Sequence, residues 1–355
     1  VLVTSTASKE AREGMDFFPL TVDYEEKMYA VGKMPGGFLR REGRPGNSAI
    51  LNARLIDRPI RPLFDKRCRN DIHVMATVLS VDYDNAPELC GMLGASASLG
   101  ISDIPWDGPI AGVRVGRVDG KFVINPTQEQ LKVSTLNITV AGSETAILMV
   151  EGGAQEAPEE DVLDAIMFGH ETIKELVAFQ KKIIEEVGKL KRTLIFPEIP
   201  EEIKTAIYAY AERPLKEAIF NPDKLTREAH MEEVRKEAEA HFKEIYPENG
   251  SDIAECLNHL TKEIVRHMIS VDKIRPDGRA LDEIRPISCE VGLLPRVHGS
   301  ALFTRGQTQA LTITTLAPMS ETQIIDDLTQ ETEKRYIHQY NFPSYSVGET
   351  KSSRG

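Results

Sequence analysis

The strongest constraint on the fold is a repeat: Ala310 to Thr315, ALTITT, restates the apolar and β-branched pattern of Val1 to Thr6, VLVTST. In each copy an aromatic-rich run follows some distance on, FFPLTVDY from Phe17 and YIHQYNFP from Tyr336. All four stretches read as strands, so one strand-led unit is built twice. Between the copies the pattern changes. From residue 190 to about 270 strand alternation disappears, Glu, Lys and Ala dominate, and Pro197, Pro200, Pro214, Pro222 and Pro247 punctuate helical stretches. The segment Lys273 to Gln309 has no counterpart in the first copy, and most of the second copy is missing. The chain is therefore expected to be a piece of a longer protein, cut inside a repeat at both ends.

The expected class is α+β, in three parts: 1–189, 190–272 and 273–355. In the first, Val1 to Thr6, Phe17 to Tyr24 and His73 to Asp82 alternate as strands. Glu88 to Gly100, ELCGMLGASASLG, is apolar and rich in small residues, which suits a helix packed closely on a sheet. Asp119-Gly120 marks a two-residue hairpin within Gly112 to Asn125, and Leu136 to Glu151 turns near Gly142-Ser143. Pro158 opens a long amphipathic helix. The middle part reads as an all-helical module. It includes Thr226 to Ile245, with Met231, Val234, Ala238, Phe242 and Ile245 on one face, and Ile253 to Ser270. His259 and His267 there read as surface or satisfied residues rather than ligands, and the acidic pair Asp326-Asp327 as a solvated helix start.

Charge is distributed as unevenly as pattern. The chain carries −12 overall, yet from Arg40 to Arg69 nine basic residues face three acids. Gly36 and Gly37 free the backbone for a projecting loop that carries Phe38 and then Arg40, Arg41 and Arg44. An aromatic ring beside guanidinium groups is the equipment for a single nucleic-acid strand, because bases stack on the ring and phosphates meet the forks. Asn47 or Ser48 can cap a helix that Pro59 should stop, and on it Arg54 and Arg58 are four apart on one face. The alternative is a solvated arginine-rich surface tied to local carboxylates.

Composition adds little: 41% hydrophobic and 28% charged is ordinary for a soluble globular protein. No apolar run approaches membrane-spanning length. Cys68, Cys90, Cys256 and Cys289 show no CxxC spacing, and the histidines show no metal signature, so reduced thiols in a cytoplasmic setting are expected. There is no signal peptide, but the chain opens on Val1 inside a strand, so the native start and any targeting segment are expected upstream.

Five segments resemble the polynucleotide phosphorylase family: GGFLRREGRP from Gly36, LNARLIDRPIRPLF from Leu51, RPDGR from Arg275, LPRVHGSALFTRGQTQAL from Leu294 and NFPSYSVGET from Asn341. The resemblance runs through the whole chain in the family's order. It implies an RNase PH-like core of mixed sheet and packed helices, an all-α linker domain and the beginning of a second RNase PH-like core. It also implies single-stranded RNA as partner, inorganic phosphate as co-substrate, magnesium, a homotrimeric ring and partners in RNA-degradation complexes, with no membrane. Phe38, Arg40, Arg41 and Arg44 match the family's pore constriction; Leu39 stands where many members have a second aromatic. Arg54, Arg58 and Arg61 match the basic face behind it. Arg296, His298 and Arg305 match positions near the RNA path of the second core, where the alternative is turn and strand-end residues making structural bonds.

The activity implied is phosphorolytic 3′ to 5′ exoribonuclease action, releasing nucleoside diphosphates, with polymerisation as its reverse. In the family the active core carries Asp and Asp-x-Lys ahead of Val-Ala-Gly, and a serine-rich phosphate loop ahead of Gly-Ala-Ser. Here the positions before Val140-Ala141-Gly142 are Leu131, Asn137 and Thr139, and the loop before Gly94-Ala95-Ser96 reads Ala86-Pro87-Glu88. The first core is therefore expected to guide RNA without cleaving it, the catalytic carboxylates lying beyond Gly355. The alternative is a non-catalytic RNA-binding ring subunit of an exosome-like assembly, and a hydrolytic nuclease is a third, weaker reading.

Overall fold

The computed structural model describes residues 1–12, 15, 17–36, 38–194, 199–329 and 332–350. Gly37, Pro197 and Gly355, used above as a loop glycine, a helix boundary and an end point, lie outside them. The chain forms two compact units: Val1–Phe196 with Met319–Gly355, and Pro197–Pro318.

The first unit runs β1 (Leu2–Ala11), β2 (Leu20–Glu26), α1 (Asn47–Ile60), β3 (Asn70–Val78), α2 (Pro87–Ile101), β4 (Ala111–Val118), β5 (Lys121–Ile124), α3 (Gln128–Val133), β6 (Leu136–Gly142), β7 (Ile147–Ala154) and α4 (Glu159–Val187). One sheet has the order β1-β3-β2, with β1 antiparallel and β2 parallel to the central strand. β3 takes the centre because Ile72, Val74, Ala76 and Val78 alternate onto one buried face. Parallel pairing of β2 with β3 requires a crossover, which α1 supplies. The other sheet is antiparallel, β5-β4-β6-β7, with α4 packed on it through Ala165, Ile173 and Val177 against Val113, Val115 and Val140.

The small residues of α2 let it lie close to its neighbours. A Cβ at Gly94 would stand 2.6 Å from Val3 Cγ2, and one at Gly91 3.2 Å from Ile56 Cδ1. Past α4 the chain returns to this helix, where Lys191 Nζ donates to the carbonyls of Leu99, Gly100 and Ser102 at 2.8, 2.9 and 2.8 Å and so closes the end of α2. The β4–β5 turn is Asp119-Gly120, both at positive φ (49° and 75°), as a two-residue hairpin requires.

The second unit holds α5 (Glu201–Ile219), α6 (Lys224–Ile245), α7 (Gly250–Ser270) and a three-stranded antiparallel sheet of β8 (Ile287–Val291), β9 (Gly299–Arg305) and β10 (Thr308–Thr314), in the order β10-β9-β8. Ile207, Leu215, Phe242, Leu257, Leu260 and Ile264 form the core of the three helices.

Five local expectations change. Pro59 does not stop α1: it sits in the last turn with its ring buried, and the backbone tightens into a 3-10 turn over Arg61–Leu63. Gly46 is the N-cap of that helix, because the Ser48 hydroxyl is turned to Glu26 Oε1 at 3.2 Å. Pro214 lies inside α5, where burial of Ala211, Leu215, Ala218 and Ile219 on both sides of it outweighs the lost hydrogen bond. YIHQYNFP forms no strand among the described residues. Asp326 and Asp327 begin no helix; they follow a short strand, Gln323–Ile325, and Asp326 Oδ1 accepts from Lys33 Nζ at 2.7 Å.

Candidate nucleic-acid interface

The basic segment is displayed by the connection from β2 to α1. After β2 a 3-10 turn, Met28–Val31, ends at Gly32 in the left-handed region (φ 72°) and sends the chain outward. The loop that follows is stitched at its base. Lys33 Nζ pairs with Asp326 Oδ1 at 2.7 Å, and the Met28 amide donates to Glu42 Oε1 at 3.0 Å. At its tip Phe38 is 99% exposed and Leu39 76% exposed, an arrangement that no interior packing explains. Arg40 is held at φ 49°, with Nη1 donating to the Pro35 carbonyl at 3.4 Å. Among the described residues, Arg41 and Arg44 make no side-chain hydrogen bond or ion pair. The tip thus combines a bare ring with unpaired guanidinium groups.

The arginines of α1 stand in three different states. Arg54 is exposed and unpaired among the described residues. Arg58 Nη1 pairs with Glu151 Oε2 of β7, both side chains being nearly half exposed. Arg61 is held by both Asp57 oxygens at 2.9 and 2.6 Å and by the Leu20 carbonyl at 3.0 Å, with its guanidinium 5.9 Å from the Phe18 ring centre. Further on, Arg67 binds Asp65, whose carboxyl it holds down at about 2, and Arg69 Nη1 donates to the carbonyls of Lys66 and Cys68. Carboxylate pairing therefore describes Arg58, Arg61 and Arg67, while among the described residues Arg41, Arg44 and Arg54 have no carboxylate partner.

In the other unit, Arg296 occupies a turn at φ 69°, and His298 Nδ1 accepts the Leu316 amide at 2.8 Å. Arg305 closes β9 opposite Ile287 and Thr308, with no side-chain partner among the described residues.

Beside α1, Glu26 at the end of β2 is close enough to Asp327 and to Glu88 of α2 to feel their charges. Glu26 accepts from Ser48 at 3.2 Å and from Asn52 at 3.5 Å, and burial pushes its carboxyl up, with Asp327 and Glu88 adding to the effect. Glu88, in the first turn of α2, pairs with Arg114 at 2.6 Å, next to a cavity of about 80 Å³ lined by Ala86, Cys90, Arg114 and Asn125. Among the described residues no group of three or more His, Cys, Asp or Glu is placed to hold a metal ion. Leu131 lies on α3, and Asn137 and Thr139 lie on β6, with neither a carboxylate nor a lysine at those positions.

Sequence reasoning located the cations but missed their partners. Glu151 and Asp326 are distant in the chain from Arg58 and Lys33, and no local pattern singles them out.

Comparison with known proteins accounts for nearly the whole chain. A family model described as "3' exoribonuclease family, domain 1" matches residues 1–105 and again 283–355, and its "domain 2" matches 108–172. Residues 202–280 match "Polyribonucleotide nucleotidyltransferase, RNA binding domain". Among curated proteins, polyribonucleotide nucleotidyltransferases of Heliobacterium modesticaldum and Syntrophomonas wolfei are each 58% identical over 355 residues, covering 100% of this chain and 50% of the relative. That of Geobacillus kaustophilus is 55% identical over 357 residues, covering 100% and 49%. The chain spans about half the length of the curated relatives it matches.

Proposed function

This chain belongs to the 3′ exoribonuclease family, in its polyribonucleotide nucleotidyltransferase branch, and on that premise we propose that it is the RNA-guiding part of a phosphorolytic 3′ to 5′ exoribonuclease. The observation that carries the reading is the tip: a fully exposed Phe38 beside Arg40, Arg41 and Arg44, continued by Arg54 and Arg58 on α1. Bases stack on the ring and the arginines take the backbone phosphates. Arg61 serves this face as a brace, its fork fixed to Asp57 and Leu20. Arg296, His298 and Arg305 are assigned to RNA contact in the second core.

The reading gives the intact protein inorganic phosphate as co-substrate, magnesium held outside these residues, a homotrimeric state and a cytoplasmic role in RNA degradation. No helix among the described residues is long and apolar enough to cross a membrane. The test is replacement of Arg40 and Arg41 by Ala in the intact protein. The Michaelis constant for long single-stranded RNA should rise about tenfold or more while turnover at saturation holds, since each lost phosphate contact is worth about 1–2 kcal/mol. A fall in turnover at unchanged Michaelis constant would place these arginines in the chemical step instead. The 355-residue chain alone should release no nucleoside diphosphate from RNA and phosphate. If the intact protein also releases none, the ring-subunit reading takes its place.

A further inference from the structure

We propose that Glu151 is a built-in competitor for the RNA phosphate that Arg58 binds, occupying the guanidinium when RNA is absent and giving it up when a backbone phosphate arrives. The inference rests on the reading of the α1 face as an RNA contact. Arg54 and Arg58 are one turn apart on that helix, and like charges at this spacing repel. Among the described residues Arg58 alone of the two has a counter-ion, and it comes from another element: Glu151 lies on β7, the last strand of its sheet, 93 positions along the chain. The side chains are 43% and 47% exposed, so water reaches both. Ion pairs in such surroundings contribute about 0–1 kcal/mol, and a phosphodiester oxyanion offers the same guanidinium an equivalent bond.

The neighbouring pair shows what a permanent partner looks like. Arg61 meets Asp57 through two nitrogens, adds a bond to the Leu20 carbonyl, and Asp57 is only 23% exposed. Arg58 has one nitrogen on one oxygen of an exposed carboxylate. That difference divides the two arginines into brace and exchangeable contact. The exchange has a use in a protein along which a strand must advance. An arginine with a carboxylate to return to releases its phosphate at a smaller cost than one left bare, so Glu151 lowers affinity and speeds movement.

The experiment uses the full-length protein and a fluorescently labelled oligoadenylate, measuring the dissociation constant against salt for the parent, Glu151→Gln, Arg58→Ala and the double variant. Glu151→Gln keeps the shape and the backbone pairing with Thr139, and its thermal melt should match the parent. The dissociation constant should fall about two- to fivefold. In the Arg58→Ala background the same change should do nothing, which a general loss of negative charge would not reproduce. Unchanged or weaker binding by Glu151→Gln, with Arg58→Ala weakening it, overturns the competitor and leaves the RNA face standing. No loss with Arg58→Ala removes both. If inorganic phosphate competes with the oligomer more strongly in Glu151→Gln than in the parent, the anion at Arg58 is free phosphate rather than the RNA backbone, and the assignment is wrong.

Discussion

Arg54 and Arg61 look alike in the sequence and differ entirely in what they touch. Arg54→Ala should weaken single-stranded RNA binding by the intact protein and reduce the slope of log affinity against log salt by about 0.7, the value for one phosphate contact, with an unchanged melting profile. Arg61→Ala should instead destabilise the first unit by about 1 kcal/mol, because it strips a bidentate carboxylate pair and a carbonyl contact. Binding titrations and denaturant melts on the two variants separate the roles. Reversed outcomes would exchange them. Glu26 gives a pH-dependent expectation. Its folded carboxyl sits above the ordinary 4.5 because of burial, so the native state holds a proton more tightly than the unfolded chain, and stability falls as pH rises through the folded value. Glu26→Gln, which still accepts from Ser48 and Asn52, should raise the melting temperature at neutral pH, with the gain vanishing below about 4.5. A gain that persists in acid would show that the charge is not its source. None of these differences was legible in the sequence. Residue type and spacing marked the arginines as a group; Asp57 and Asp65 claim Arg61 and Arg67 from four and two positions away, while Glu151 reaches Arg58 only by tertiary approach, 93 positions along the chain.

At the scale of elements, the reading held wherever a signal was local and its partner lay nearby. The Asp119-Gly120 hairpin, the helix of small residues at 87–101 and the amphipathic α4 follow from turn chemistry, close packing and helical spacing. It failed at Pro59 and Pro214, where burial of flanking residues outweighs a missing hydrogen bond, and at YIHQYNFP, where β propensity alone makes no strand without a ladder partner. Lys191 is an element-scale feature that no sequence rule flags: one ammonium closes the C-terminus of a helix about 90 residues earlier. Burial lowers its pKa, yet all three of its N–H donors point at carbonyls, so it is a structural cap. Lys191→Met should cost about 1–3 kcal/mol and increase amide exchange in the last turn of α2 before the rest of the unit. Uniform exchange along the helix would mean that the cap is not local.

For the whole molecule, the repeat and the helical interlude were legible because they are written in periodicity, and one family domain matches the chain twice, at 1–105 and 283–355, on either side of the helical region. The sequence did not indicate that residues from Met319 onward cluster with the first unit, burying Leu328 (6% exposed) in its core and pairing Asp326 with the base of the arginine loop. Such closure depends on tertiary contacts between residues almost 300 positions apart. The central claim is that RNA is received at the Phe38 tip and along α1. It is tested most directly by photo-cross-linking single-stranded oligoadenylate to the full-length protein and identifying the attached peptides by mass spectrometry. The account expects attachments within 34–61, with Phe38 foremost and its cross-link lost in Phe38→Ala. Cross-links that leave 34–61 untouched while RNA is fully bound would contradict it.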